Sequence, residues 1–261
     1  MTTEPKYGVL LWIAYNGAQF HGMALQPGVK TIAGELQGAL LAIDTYATRI
    51  RIVSRTDAGV HAEQQLVAFD SCKKIASRGW VLGLSQHLAP EISVIAAATV
   101  PVGFDPRTFV VSKTYRYRIL QSKVRDPFLE QRAWRIIERL NHAAMREEAA
   151  ELIGHHDFAA FRSVHDRRSD TCRNLLRISL EQDPGDPRVI WWFVEGDRFL
   201  MHMIRILVGT LVDVGRGRLS PGVCRSALTS FSRRDLGVTA PPVGLYLHQV
   251  QLSEGGADRW P

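Results

Sequence analysis

The sequence predicts an α+β protein whose first half follows the β-α-β-β-α-β order of ferredoxin-like folds. Three observations carry that prediction. Short apolar runs alternate with stretches of helical periodicity, turn-forming residues separate them, and Pro101 and Pro106 flank "VGFD" at a natural boundary near residue 105. Two domains are therefore expected, 1–105 and 106–261.

Residues 8–15, "GVLLWIAY", read as a buried strand. Thr31 can cap a helix in "IAGELQGALLAI", where Ile32, Leu36, Ala39, Leu40 and Ile43 recur at helical spacing. Next come "RIRIVS" and "QLVAF", two short strands bracketing the loop "SRTDAGVHA" at residues 54–62. A helical stretch over roughly 74–88 and the apolar strand "ISVIAAATV" complete the first domain. The second opens with "KTYRYRIL", in which Tyr115, Tyr117 and Ile119 alternate with Arg116 and Arg118, as in a strand with one aromatic and one basic face. A helix follows from Asn141 as cap to Gly154 as terminator. "LLRISL" and "VIWWFVE" flank the turn "QDPGDPR" and read as a hairpin. "FLMHMIRILVGTLVDVG" is apolar nearly all round, so its helix should be buried on most sides and end at Gly215. "GLYLHQV" is the last strand.

With 261 residues, 46% hydrophobic and 22% charged, the chain has ample material for a core. The run "VLLWIA" is too short to span a bilayer and lacks a secretory signal's flanks, so a cytoplasmic location is expected. Cys72, Cys172 and Cys224 are odd in number and widely separated, which encodes neither a disulfide framework nor a zinc knuckle. The net charge is +6, and 26 of the 32 basic residues are arginine. Residues 1–105 carry eight charges of each sign, so the whole excess lies in 106–261. Arginine's planar fork suits phosphate and stacks on bases, which points to RNA; arginine-rich codon usage is the competing explanation, and composition leaves both open.

Four groups of residues could carry chemistry. Asp57 sits in "TDAG", which alone reads as a turn with Gly59 at positive φ; in a strand Arg55 would share its face and keep the carboxylate ionised. Arg205 interrupts an apolar helix and either occupies its one exposed face or needs an anionic partner, for which Asp57 is one candidate. Tyr115 is either strand packing or a base-stacking ring beside phosphate-holding arginines. "FRSVHDRRSDTCR" supplies Arg162, Arg167, Arg168 and Arg173, either as a solvated loop or as a grip on RNA backbone. "GHHDF", together with His61 and His202, has no metal-ligand spacing, and no nucleotide-cofactor fingerprint is present, so neither metal nor cofactor is expected.

With those pieces placed, the chain resembles the bacterial TruA-type tRNA pseudouridine synthases from about residue 8 to residue 252. "YNGAQFHG", "RTDAGVHA", "FDPR", "KTYRYRI", "HDFAAFR", "HMIRILVGTLVDVG" and "GLYLHQV" occur in that family's order at similar spacing. The resemblance implies the pseudouridine synthase fold, two ferredoxin-like, RRM-like α/β halves sharing a central antiparallel sheet flanked by helices. It implies that Asp57 is the catalytic aspartate, that Arg55 helps to flip or hold the displaced nucleotide, and that Tyr115 packs against the target base. It further implies that Arg205 is the ionic partner of Asp57 and Leu245 an apolar wall of the pocket, with His61, Arg107, Arg162, Arg168 and His202 on the substrate side. Family members isomerise uridine in the tRNA anticodon stem-loop without cofactor or metal, as homodimers gripping one tRNA. Three positions depart from the family pattern. Ser54 replaces a glycine and should constrain only the backbone, whereas Met23 and Ala33 would alter surfaces that touch RNA. A non-catalytic RNA-binding module or RNA chaperone on the same fold is the competing function; Asp57, an anion that repels phosphate, weighs against a pure binder.

Overall fold

Strand β1 (Tyr7–Tyr15) is buried at all but two positions because it has a strand on each side, β3 (His61–Ser71) and β4 (Ile92–Val100), both antiparallel to it. A strand in that position has no solvent face, so its sequence does not alternate. Strand β2 (Arg51–Ile52) pairs antiparallel with β3, giving the order β4-β1-β3-β2. Helix α1 (Ile32–Ile43) starts where Thr31 accepts the Gly34 N–H at 3.1 Å, as its sequence predicts. Helix α2 (Ser77–Ser85), shorter than the stretch expected over 74–88, lies against β4 and α1. The computed structural model describes residues 4–47 and 49–253, and the chain divides into two units, one up to Val111 plus the segment from Leu247 on, the other Ser112–Tyr246. The first unit thus has the expected β-α-β-β-α-β order.

In the second unit β5 (Val110–Gln121) pairs with β9 (Val189–Gly196), which pairs with β8 (Cys172–Gln182), which pairs with the edge strand β7 (Gly154–Asp157), all antiparallel. The β8–β9 hairpin is the one "QDPGDPR" predicts. Strand β6 (Trp134–Ile136) corrects the expectation of an antiparallel sheet: it pairs parallel with β5, so the sheet is mixed. The chain can do this because residues 122–133 are long enough to loop back and run alongside the last three residues of β5, Ile119–Gln121. Helix α3 (His142–Ala150) is capped by Asn141 as expected but ends before Gly154, whose φ of +109° opens β7 instead. In "GHHDF", His155 and His156 are therefore consecutive strand residues, and Asp157 accepts the Ala159 N–H at 2.9 Å.

Helix α4 (Met203–Gly215) is buried at every position except Arg205, matching its all-round apolar sequence. Helix α5 (Val223–Ser230) has no capping side chain of its own. The buried Glu148 of α3 supplies the cap, its two oxygens accepting the N–H groups of Gly222 at 2.7 Å and Cys224 at 2.6 Å. No described helix is long and apolar enough to cross a membrane.

Candidate active site

Residues 53–60 join β2 to β3 in the first unit. The Val53 N–H donates to Leu66 O at 3.1 Å, the last backbone bond before the chain bends away from β3. The Gln65 carboxamide then brackets Ser54, accepting its N–H at 3.1 Å and donating to its carbonyl at 2.6 Å. Thr56 is held by Tyr15, hydroxyl to hydroxyl at 2.7 Å, and its carbonyl accepts the Met23 N–H at 3.0 Å. The turn closes where Val60 N–H donates to Asp57 O at 3.2 Å, with Gly59 at φ +76° as its sequence predicts. Gly59 N–H reaches back to Phe20 O at 3.2 Å.

The motif "YNGAQFHG" is thereby explained: residues 15–23 form the cradle of the loop. His61 completes it from the first position of β3. Only 2% exposed, its Nδ1 accepts the Gly17 N–H at 3.1 Å, so that nitrogen carries no proton. Arg55 and Asp57 belong to no strand, which corrects the strand geometry considered for them. Burial nevertheless alternates: Ser54 and Thr56 are buried, Arg55 is exposed and Asp57 half-buried. The cradle holds the buried residues, leaving Arg55 exposed and Asp57 between the two extremes.

Two of the departures from the family pattern turn out to be internal. Met23 is fully buried and Ala33 nearly so, which corrects the expectation that they alter an RNA-facing surface. Ser54 is buried too, and its Oγ has no hydrogen-bond partner among the described residues. Arg107, expected on the substrate side, lies in a short 3-10 turn capped by Asp105, which accepts its N–H at 3.0 Å and its guanidinium at 2.6 to 3.1 Å. Those bonds to Arg107, outweighing burial, hold the Asp105 carboxyl below its ordinary value.

In the second unit Tyr115 and Tyr117 share the buried face of β5. The Tyr115 ring meets Phe199 edge-on, centroids 5.2 Å apart. The Tyr117 hydroxyl donates to Pro241 O at 2.7 Å, and burial pushes its pKa well up. On the opposite face Arg116 and Arg118 each place a guanidinium 4.1 Å from the Trp191 ring centroid, so the predicted basic face is a cation–π stack. Arg205 is partly buried, and its Nε donates to Ala240 O at 2.8 Å while its own carbonyl accepts the Ala240 N–H at 2.9 Å. Ala240 belongs to a strap over α4 whose earlier residues are also fixed: Gly237 N–H donates to Thr210 Oγ1 and Val238 N–H to Asp213, both at 3.1 Å. The strap continues through Pro242–Gly244 to Leu245, which is buried at the start of β10 (Leu245–Leu252).

The basic segment is fastened rather than loose. Buried Asp166 accepts Arg168 Nε at 2.9 Å and the Met201 N–H at 2.8 Å, Arg168 Nη1 donates to Phe199 O at 3.1 Å, and Arg162 Nη1 donates to Arg168 O at 2.6 Å. Burial disfavours the Asp166 carboxylate, but the Met201 N–H and Arg168 outweigh it and keep the pKa low. His202 adopts φ +61° between this platform and α4. The pKa of Lys113 is lowered by burial and by the Arg168 charge. Arg173, counted in sequence with the basic loop, is only 2% exposed and bonds its own Cys172 carbonyl and Asp170. Sequence reasoning missed Gln65, Tyr15 and Thr56. The available signal was a glutamine directly before the apolar run of β3 and two hydroxyls in otherwise apolar or loop positions.

Fold and loop together define the class: an α+β protein that carries an exposed arginine and a carboxylate on a rigid loop of a ferredoxin-like unit. Comparison with known proteins gives the family. A profile described as tRNA pseudouridine synthase matches residues 149–252. The chain is 36% identical over 251 residues to tRNA pseudouridine synthase A of Myxococcus xanthus, covering 96% of this chain and 94% of that protein. It is 37% identical over 244 residues to tRNA pseudouridine synthase A of Geobacter sulfurreducens, covering 94% and 99%. Against tRNA pseudouridine synthase A of Bacillus subtilis the identity is 37% over 240 residues, covering 91% and 96%. The chain belongs to the tRNA pseudouridine synthase family.

Proposed function

We propose that the protein isomerises uridine to pseudouridine in the anticodon stem-loop of tRNA, with Asp57 as the catalytic carboxylate. The observation that carries this reading is the cradle around residues 54–61, which buries Ser54 and Thr56 and leaves Arg55 exposed and Asp57 half-buried. The reaction breaks the bond from C1′ to N1, turns the base and joins C1′ to C5. C5 gives up a proton and N1 gains one, so nothing external is consumed. An enzyme for it must unstack the base, confine the detached fragment and offer a group that attacks or deprotonates.

In this reading Arg55 holds the displaced nucleotide, Tyr115 packs on the target base, Leu245 walls the pocket, and Arg205 serves as the counter-ion of Asp57. His61 supports the loop from within. Arg107, Arg162, Arg168 and His202 face the RNA, and the arginine excess of residues 106–261 supplies the counter-charge for its backbone. A cytoplasmic homodimer gripping one tRNA completes the proposal, on the strength of the family resemblance.

Carbodiimide mapping of an unmodified tRNA pool tests it. Wild-type protein should create new stops in the anticodon stem-loop, and Asp57→Asn should create none while binding tRNA with wild-type affinity. Stops with Asp57→Asn would remove Asp57 from the chemistry; binding by wild type without any stops would favour a non-catalytic RNA-binding role.

A further inference from the structure

Gln65 is fully buried in β3, directly before the strand's apolar run Leu66–Phe69. Two N–H groups, those of Ser54 and Leu66, meet one end of its carboxamide at 3.1 Å each, which makes that end the oxygen. The Ser54 carbonyl meets the other end at 2.6 Å, which makes it the nitrogen. A side-chain amide thus stands in for a ladder partner where the backbone pairing between residues 53 and 66 has just ended. Ser54 precedes Arg55, and Thr56, fixed by Tyr15 and Met23, follows it. The Gln65 contact therefore sets the direction in which the chain leaves β3 on its way to Asp57.

We propose that Gln65 is a positioning residue that aims the Asp57 carboxylate, acting through both backbone groups of Ser54. The proposal rests on the reading that Asp57 does the chemistry. Gln65 touches no substrate. Its effect is on the geometry of the attacking group, so it governs the rate of the chemical step and leaves the phosphate-binding arginines untouched. Glutamate at this position gives a specific signature. Ionised, it still accepts from the Ser54 and Leu66 N–H groups, but it turns a second lone-pair-bearing oxygen on the Ser54 carbonyl. Protonated, it regains the donor. Burial favours the protonated form, so the switch falls above the ordinary glutamate range.

The test is single-turnover pseudouridine formation together with tRNA affinity, for wild type and Gln65→Glu, from about pH 5.5 to about pH 8.5 where buried carboxyls titrate. At the alkaline end the variant should be slower by roughly ten- to hundredfold, the scale of a small misplacement of a reacting group, with tRNA affinity unchanged. Relative to wild type at the same pH, its rate should climb as the pH falls. Wild-type rates throughout, a loss matched by lost tRNA affinity, or a loss independent of pH would each overturn the role. Should Gln65→Glu fail to fold at the alkaline end, Gln65→Met keeps the length and burial without donor or acceptor; it should be slow at every pH, and a wild-type rate from it would overturn the role too. The arms separate this proposal from the one beneath it. An active wild type with unimpaired Gln65 variants fails Gln65 alone, whereas an inactive wild type fails both.

Discussion

One imidazole joins two distant segments of the first unit. Buried His61 takes the Gly17 N–H on an unprotonated Nδ1, and so ties the start of β3 to the cradle. Replacing it by phenylalanine fills the space but leaves a buried amide without its acceptor, which costs about 1–3 kcal/mol. The expected result for His61→Phe is a lowered urea midpoint with an unchanged slope, and pseudouridine formation reduced as the loop loosens. Such roles were partly legible. The letters "RTDAGVHA" announce a turn and a carboxylate, and Gly59 adopts the expected φ. What they do not announce is who holds the loop. Tyr15, Met23 and Gln65 lie 41, 33 and 11 residues from their partners Thr56, Thr56 and Ser54, and no local rule links such positions. Met23 was legible only as a departure from a family pattern; its complete burial makes it part of the cradle.

Among the elements, those that carry their own signals are the ones the sequence reveals. Helix α1 has Thr31 at its start and an apolar stripe, and α4 is apolar all round because it is buried all round. Helix α5 was invisible for a definite reason: its cap is borrowed from Glu148, 74 and 76 residues away, and its own start is a glycine. Strands β6 and β7 are three and four residues long, too short for alternation to register. Helix α4 also yields a prediction that belongs to the element. A Cβ on Gly209 would lie 1.8 Å from the Val238 carbonyl oxygen, so Gly209→Ala must push the strap off the helix. Further along the strap Ala240 is bonded to Arg205 in both directions. Overpacking of this kind costs about 1–3 kcal/mol or more, and the melting temperature should fall accordingly. Pseudouridine formation by the fraction that stays folded should fall as well, because Arg205 loses its anchor. A variant with normal activity when folded would separate the strap from catalysis.

For the molecule as a whole, acid is the condition that should expose its weak points. Asp44, Asp70 and Asp166 are each penalised by burial, yet each is held below the ordinary value of 3.8 by N–H groups and by Ser71, Arg51 or Arg168 respectively. The unfolded chain therefore takes up protons first as the pH falls. The stability these groups contribute is complete well above 3.8 and drains away from there down through their lower folded values. Urea midpoints measured from pH 7 downward should hold steady and then drop near and below pH 4, the usual carboxylate range. Asp166→Asn should flatten part of that drop. At this scale the first unit was legible nearly throughout, since its β-α-β-β-α-β order repeats a short rhythm of local signals; the parallel β6 was not, because parallel pairing depends on a long connection without a motif. The loop at residues 54–61 has a further consequence. Tied down by backbone and side-chain bonds before any RNA arrives, it has little conformational entropy left to lose on encounter. The rearrangement that catalysis demands then falls on the nucleic acid, and substrates should be ranked by how readily the target nucleotide leaves its stack.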